Sequence, residues 1–206
     1  MSTKVDFDFF LEGMIYCADN ANKIAADARR LYKVNRFPTS GMLAISSLEE
    51  IGKIYLLLIL GGIYSDKKKL GITEGAYWKS FHRMWRNHKL KLVCASWIDL
   101  LIFDEDAIEL ARHTMKNLDL FDIRNRFLYV DIDEGKWLLP KRTDRSVALE
   151  LVEAAEDISE EVLKEFNPRR QPILKKEILN PSKMEEIITR WKEIFNLLES
   201  EGFGED

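Results

Sequence analysis

The sequence feature that most constrains the fold is an apolar segment over residues 38–64, PTSGMLAISSLEEIGKIYLLLILGGIY. Pro38 presets a helical φ angle at its start, and Thr39 or Ser40 can cap the free backbone N–H groups. The pair Gly61-Gly62 is expected to end the helix, because glycine readily adopts the conformation of a C-terminal cap. The segment therefore predicts a long helix against which the rest of the chain packs.

One face of this predicted helix carries a single carboxylate among apolar and small residues. Its members follow the alternating spacing of a helical face: Met42, Ile45, Glu49, Gly52, Leu56 and Ile59. A buried carboxylate needs a partner, and Lys53, one helical turn after Glu49, is one candidate. Alternatively, Glu49 and Glu50 lie at the edge of the apolar face and remain hydrated. An inward Glu49 would instead serve chemistry or bind a specific partner.

Composition places the chain among globular proteins of ordinary domain size. Its 206 residues are 46% hydrophobic and 32% charged, which suits one substantial core and is too apolar for disorder. The longest apolar run, residues 54–64, is too short to span a bilayer, and residues 1–10 do not resemble a signal peptide. Cys17 and Cys94 show no metal or redox spacing, so we expect reduced thiols and a cytoplasmic location. The net charge of −4 argues against general nucleic-acid affinity but permits a local basic patch.

Helical periodicity extends along most of the chain, and no segment gives a strong strand signal. The predicted helices cover approximately residues 8–34, 38–60, 76–103, 104–129, 144–166 and 182–198. Residues 167–181, which contain three of the five prolines, are predicted to form a surface linker. The sequence therefore predicts an all-α, up-and-down helical bundle over residues 1–166. Residues 167–206 are expected to supply the Pro-containing linker and an extra C-terminal helix, packed on the same domain.

The third predicted helix combines basic and aromatic residues. The basic ones are His82, Arg83, Arg86, Lys89 and Lys91, and the aromatic ones are Trp78, Phe81 and Trp85. Basic residues among aromatic ones can hold a nucleic-acid backbone. In the alternative interpretation, the aromatic residues belong to the core and the charges form a hydrated face.

Polar groups are directed inward on three of the predicted helices. They are Glu49, His88 and the pair Asn125 and Tyr129. Buried polar groups need partners, and separate helices of one bundle can supply them to each other. The three positions therefore predict either a functional site or a structural network that satisfies a buried histidine.

Three sequence blocks follow one another along the first three quarters of the chain. They are LAISSLEEIGKIYLL at residues 43–57, HKLK at residues 88–91, and RNRFLYVD at residues 124–131 followed by Trp137 and Pro140. In this order and spacing, over about residues 10–165, they resemble the AbiV family of abortive-infection proteins in the HEPN superfamily. The resemblance implies a HEPN-like bundle, commonly a homodimer, that defends bacteria against phage as an RNA-targeting toxin or translation inhibitor. Such a role implies that a phage protein activates the toxin.

The resemblance also implies roles for individual residues. HEPN ribonucleases cleave RNA without a metal, using an arginine, often followed by asparagine, and a histidine four to six residues further on. Arg124 and Asn125 match the first two positions, but Tyr129 occupies the place of the histidine, and a phenol is a poor general base at neutral pH. Arg83 and His88 fit the same spacing. His88 would also complete the site if it met Arg124 across helices.

The enzyme hypothesis gives each of these residues a role. Arg124 stabilises the phosphate, His88 transfers protons, Asn125 and Tyr129 position the substrate, and Glu49 orients a cation. The predicted RNA-binding residues are Arg83, Arg86, Lys89, Lys91 and Lys53. The alternative is a non-catalytic protein-interaction or RNA-binding helical module, in which the same polar residues form a structural network or a binding surface.

No cofactor and no metal are expected. Two isolated cysteines and three histidines without paired spacing make no zinc site. Glu49 and Glu50 alone are too few carboxylates for a magnesium site. We expect a homodimer, because five Trp and eleven Phe exceed what the core of such a chain requires and aromatic residues are enriched at interfaces.

Overall fold

The computed structural model describes residues 6–66, 71–95, 120–128, 131–133, 136–138 and 145–180, together with residues 182, 185, 189 and 192. Its helices are α1 (Phe7–Lys33), α2 (Phe37–Asp66), α3 (Glu74–Arg86), α4 (His88–Ala95), α5 (Leu120–Leu128), α6 (Arg145–Glu165) and α7 (Gln171–Ile178). Two short strands, β1 (Asp131–Asp133) and β2 (Lys136–Leu138), pair antiparallel, with Ile132 opposite Trp137. The fold is the predicted all-α bundle. The small hairpin was not predicted, because three residues a strand are too few for an alternating pattern to show.

Helices α1 and α2 form the central antiparallel pair. The seam of α1 is lined by the buried alanines Ala18, Ala21, Ala25 and Ala28. Ser40 Oγ donates to the Ala28 carbonyl oxygen at 2.7 Å, and Ser47 Oγ donates to the Ala21 carbonyl oxygen at 2.8 Å. Because the alanine side chains are small, the α2 serines reach the α1 backbone directly, and the order of the contacts makes the two helices antiparallel.

The predicted limits of α2 are wrong at both ends. The helix begins at Phe37, so Ser40 lies inside it and bonds α1 instead of capping. At the other end it continues through Gly61-Gly62 to Asp66. A Cβ atom at Gly61 would lie 3.1 Å from Phe10 Cγ and 3.2 Å from Phe7 Cε2. Glycine at this position therefore permits the aromatic start of α1 to pack against α2 and does not end the helix.

The predicted helix over residues 76–103 is interrupted at Asn87. This residue adopts an extended backbone with φ −82° and ψ 107°, which ends α3. Its side-chain Oδ1 accepts a hydrogen bond from the Leu90 N–H at 2.9 Å, so Asn87 caps the start of α4. The remainder of this predicted helix and the first part of the next one, residues 96–119, lie outside the described residues.

The predicted linker at residues 167–181 contains the helix α7. Pro172 lies in its first turn, where a proline needs no hydrogen-bonded N–H, so this proline starts a helix and does not mark a loop. Leu174 and Ile178 are buried, and Lys175 Nζ lies 2.7 Å from Asp8 Oδ1 of α1. Residues 182, 185, 189 and 192 are helical, in agreement with the predicted C-terminal helix.

Helix α2 is the centre of the bundle and contacts α1, α3, α4, α5 and α6. Its residues 54–60 are almost completely buried around the helix, which explains why this run is apolar throughout and not along one stripe. Among the described helices, none combines the length and apolar character needed to cross a membrane.

Candidate functional site

Glu49 lies in the middle of α2 and is buried, with a side chain only 7% exposed. It belongs to the predicted inward face, where its neighbours Ile45, Leu48 and Gly52 are also buried. The hypothesis that Glu49 stays hydrated is therefore wrong. The predicted partner is wrong as well, because Lys53 pairs with Glu50 and not with Glu49. The partners of Glu49 come from two other helices.

His88 is the first residue of α4 and supplies one of these partners. Its Nδ1 lies 2.7 Å from Glu49 Oε2, which is hydrogen-bond distance. The side chain of His88 is 42% exposed, so the ring links the buried carboxylate to the surface. No other described residue hydrogen-bonds the imidazole. The arrangement leaves Nε2 as the nitrogen available to a ligand, with Nδ1 held by the carboxylate.

Lys91 lies one turn further along α4, with its Nζ 3.5 Å from Glu49 Oε2. Its side chain is 6% exposed, and this burial lowers its pKa, although the charge of Glu49 acts in the opposite direction. The close approach of α4 to α2 depends on Gly52. A Cβ atom there would lie 1.8 Å from the Lys91 carbonyl oxygen, so any other residue would displace the backbone of α4.

Arg124 reaches the same carboxylate from α5. Its Nε lies 3.0 Å from Glu49 Oε1, and the side chain is 16% exposed. The N–H vector is poorly aligned for a hydrogen bond, and both atoms are without a hydrogen-bond partner among the described residues. We therefore describe this contact as an ion pair. Helix α5 is held close to α2 by the Phe127 ring, which occupies the space that a Cβ atom of Gly41 would take.

Glu49, His88, Lys91 and Arg124 together form what we call the Glu49 cluster. One carboxylate faces one ammonium and one guanidinium, which leaves an excess positive charge among the described side chains even when His88 is neutral. A buried excess charge is unfavourable unless a counter-ion approaches. The cluster is therefore suited to bind an anionic group such as a phosphate, next to an imidazole with one nitrogen free.

Glu50, the next residue, belongs to a different group that we call the Glu50 cluster: Glu50, Lys53, Trp85 and Cys17. Glu50 pairs with Lys53, whose Nζ lies 5.1 Å from the centre of the Trp85 ring. Burial, and secondly the charge of Glu50, raises the pKa of the Cys17 thiol to about 12. This cluster has balanced charge and an unreactive thiol, which identifies it as a structural contact between α1, α2 and α3.

The structure brings together some of the predicted site residues and separates others. Glu49, His88 and Arg124 meet, as the hypothesis of a site across helices requires. Asn125 is partly buried on α5 and makes no hydrogen bond to the Glu49 cluster, and Tyr129 lies outside the described residues. Arg83 is exposed on α3 and does not join the cluster, so its spacing to His88 has no counterpart in the site.

The predicted RNA-binding residues fall into two groups. Arg83, Arg86 and Lys89 are exposed. Lys91 and Lys53 are instead buried or mostly buried, and each is ion-paired to a carboxylate of α2. The sequence pattern did not separate these groups, because Lys91 lies beyond the unpredicted break at Asn87 and Lys53 lies on a different helix, α2.

Two residues that shape the site were not recognised from the sequence. Asn87 carries the usual signal of a helix cap, an asparagine directly before a new helical run, and that signal could have located the break. Gly52 gave only the signal of a small residue on an apolar face. Among the described residues, no group of three or more His, Cys, Asp and Glu side chains is arranged to hold a metal ion.

Fold and site together define an all-α bundle with a carboxylate–cation cluster assembled between its helices. Such polar sites in bundle cores are common in functional helical proteins. The HEPN_AbiV family model, described as AbiV, matches residues 9–160. The chain therefore belongs to the AbiV family of HEPN proteins. No curated protein and no solved structure matches the chain.

Proposed function

We propose that this AbiV-family protein acts in abortive infection by cleaving RNA at the Glu49 cluster without a metal ion. One observation carries the proposal: His88 and Arg124, on different helices, contact the two oxygens of one buried carboxylate. A HEPN-type ribonuclease needs a histidine beside this arginine. The geometry supports His88 in that role, since the local sequence has Tyr129 at the place where the histidine is expected.

His88 is the proposed proton carrier. The Nδ1–H donates to Glu49, which fixes the tautomer in which Nε2 can accept a proton. Nε2 takes the proton of a ribose 2′-hydroxyl, whose oxygen attacks the adjacent phosphorus and expels the 5′-oxygen. The departing oxygen takes the proton back from the imidazolium, which leaves a 2′,3′-cyclic phosphate and a 5′-hydroxyl. Glu49 is then a positioning residue.

Arg124 and Lys91 are the proposed phosphate ligands. Together these two cations outnumber the single carboxylate. The excess positive charge would stabilise the negative charge that develops on the phosphoryl oxygens. The Nε–H of Arg124 is buried and has no well-aligned acceptor among the described residues, and a phosphate oxygen would supply one. Asn125 and Tyr129 remain proposed substrate-positioning residues.

The alternative function is a non-catalytic protein-interaction or RNA-binding module. It is favoured by the burial of Lys91 and Arg124, because a network of buried charges between α2, α4 and α5 can also serve only to fix the helices. In that case, substitutions in the Glu49 cluster should lower stability and phage protection together. They should not remove protection from a protein that remains folded.

The two functions are distinguished by His88→Asn, since asparagine keeps an N–H donor near Glu49 and lacks a titratable nitrogen. For purified protein with a labelled RNA in the presence of EDTA, we expect cleavage to fall by about 10²- to 10⁴-fold, and phage protection to be lost. Thermal unfolding should be nearly unchanged. Arg124→Ala should behave similarly in cleavage, whereas Tyr129→Phe, which loses only a positioning hydroxyl and no proton carrier, should lose much less. Full protection by both His88→Asn and Arg124→Ala would contradict the site assignment.

We further propose that the protein works as a cytoplasmic homodimer and responds to a phage protein. The proposed dimer is supported by the family relationship and by the abundance of aromatic residues, eleven Phe and five Trp. Sedimentation should show a dimer at tens of micromolar protein, roughly the concentration at which a specific interface forms. A monomer under these conditions would contradict the dimer.

A further inference from the structure

We propose that α3 carries a binding strip for single-stranded RNA that leads to His88. The strip consists of a cationic stripe, Lys79, Arg83 and Arg86, beside an aromatic stripe, Trp78, Phe81, His82 and Trp85. This inference rests on the proposed function, from which it takes RNA as the substrate. It adds that the bound RNA is single-stranded and that the surface of α3 binds it.

The cationic stripe is regular and exposed, and the sequence around it contains no acidic residue after Glu74 at the start of α3. Lys79, Arg83 and Arg86 recur at helical spacing, so they share one face of α3, and all three are exposed. None of them pairs with a described residue, whereas Lys23 and Arg30 on α1 are each paired with an aspartate of their own helix. The chain contains 35 acidic residues, yet none lies between Gly75 and Ile98. In an acidic protein, such a segment is a local site for a polyanion.

The aromatic stripe runs beside these cations along the same helix. The Trp78 and Phe81 ring centres are 5.2 Å apart, and the Phe81 and Trp85 rings are stacked at 5.5 Å with an interplanar angle of 14°. These three rings are only partly buried, and His82, on the side of the aromatic stripe next to the cations, is exposed. Phe81 and Trp85 cover one another, and Lys53 lies over the Trp85 ring, so we expect bases to stack on the exposed His82 ring and the partly exposed Trp78 ring. Proteins bind single strands in this way, with bases stacked on rings while phosphates meet basic side chains.

The position of the strip connects it to the site. Helix α3 has 13 residues and is therefore about 20 Å long, and the chain passes directly from Arg86 through Asn87 to His88. An RNA strand lying along α3 would bring a phosphodiester to the exposed part of the His88 imidazole. We expect a single strand, because the bases of a duplex are stacked on each other and cannot stack on side chains.

The test compares two triple variants that remove the same charges. Lys79→Gln/Arg83→Gln/Arg86→Gln removes the cationic stripe, and Lys23→Gln/Arg30→Gln/Arg169→Gln removes one lysine and two arginines that are exposed elsewhere. Both are made in the full-length His88→Asn protein, so that cleavage does not consume the probe. The probe is a fluorescein-labelled oligouridylate of about 12 nucleotides, measured by anisotropy over a range of salt concentrations.

The stripe variant should bind at least about tenfold more weakly, and the slope of log affinity against log salt should fall by about 2, since a single strand contributes about 0.7 for each neutralised phosphate. The control variant should change much less. His82→Ala should weaken binding about fivefold or more through lost stacking. A duplex of the same length should bind more weakly than the single strand.

Equal losses in the two triple variants, unchanged binding by the stripe variant, or tighter binding of the duplex would each overturn the inference. Loss of self-association with unchanged RNA binding would also overturn it, because the strip would then contact a second copy of the chain. Absence of cleavage by the wild-type protein would contradict the proposed function alone, since binding of the single strand to the strip would still be observed.

Discussion

Glu49 and Glu50 are neighbours in the sequence and on α2, and both are mostly buried, but their ion-pair partners come from different helices. Glu50 pairs with Lys53 of its own helix, near Trp85 and Cys17. Glu49 draws its partners from α4 and α5, and one carboxylate faces a lysine, an arginine and a histidine. A local pair with balanced charge stabilises the fold. An unbalanced cluster assembled from several helices stabilises it less efficiently and retains the capacity to bind an anion.

The largest expected difference in the free energy of unfolding is between the variants Glu49→Gln and Glu50→Gln. Without the Glu49 charge, Lys91 and Arg124 are buried without a counter-ion, and the free energy of unfolding should fall by about 4 kcal/mol. Glu50→Gln should cost about 1 kcal/mol, because only Lys53 loses its partner and it stays near Trp85. Urea unfolding of the two variants measures both values. Equal losses would remove the distinction between the clusters.

Gly52→Ala should be the next most damaging change, since the new Cβ atom would lie 1.8 Å from the Lys91 carbonyl oxygen. Helix α4 must move away from α2, and we expect a loss of about 3 kcal/mol together with loss of phage protection. The matched control is Gly13→Ala, whose Cβ atom would lie 3.1 Å from Leu57 Cδ1, the movable end of a side chain. A Gly52→Ala protein as stable as the Gly13→Ala protein would contradict this account of how α4 is positioned.

Replacing Lys53 by methionine should destabilise the protein more than replacing Lys91 by methionine, although Lys91 is the more buried of the two. Lys53→Met leaves Glu50 without its cation and should cost about 2 kcal/mol. Lys91→Met removes a cation whose pKa is lowered by burial, and Glu49 keeps Arg124 and His88, so stability should change by less than about 1 kcal/mol. Thermal unfolding of both variants decides the order. A larger loss for Lys91→Met would show that the Glu49 cluster has no excess of positive charge.

The smallest expected effect is the pH dependence contributed by Cys17. Its pKa is raised from 9.0 to about 12 in the folded protein, so the unfolded chain loses the proton first, and the stability contributed by the neutral thiol is lost as the pH rises from about 9 to about 12. Between about pH 8 and about pH 9.5, the wild type should lose roughly 1 kcal/mol more than Cys17→Ala. Urea unfolding at both pH values measures the difference. Parallel pH profiles for the two proteins would contradict it.

The helical elements could largely be predicted from the sequence, and their ends could not. Helix α6 was predicted to within a residue or two, because its apolar stripe ends where the periodicity ends. The end of α2 was misplaced, because Gly61 has the same appearance whether it caps a helix or makes room for Phe10. The break at Asn87 was missed for a related reason, since the apolar spacing continues through it.

The sequence by itself determined the bundle and the family relationship, because local periodicity and the order of motifs are properties of the chain, while it left open whether Glu49 is buried or hydrated. Only the tertiary structure decided which groups meet. Lys53 lies one turn from Glu49 in the sequence and pairs with Glu50, while His88 and Arg124 reach Glu49 from other helices. Distance along the chain does not determine distance across a bundle. That distance depends on close contacts such as Gly52 against Lys91 and Gly41 against Phe127, which set how near α4 and α5 can approach α2.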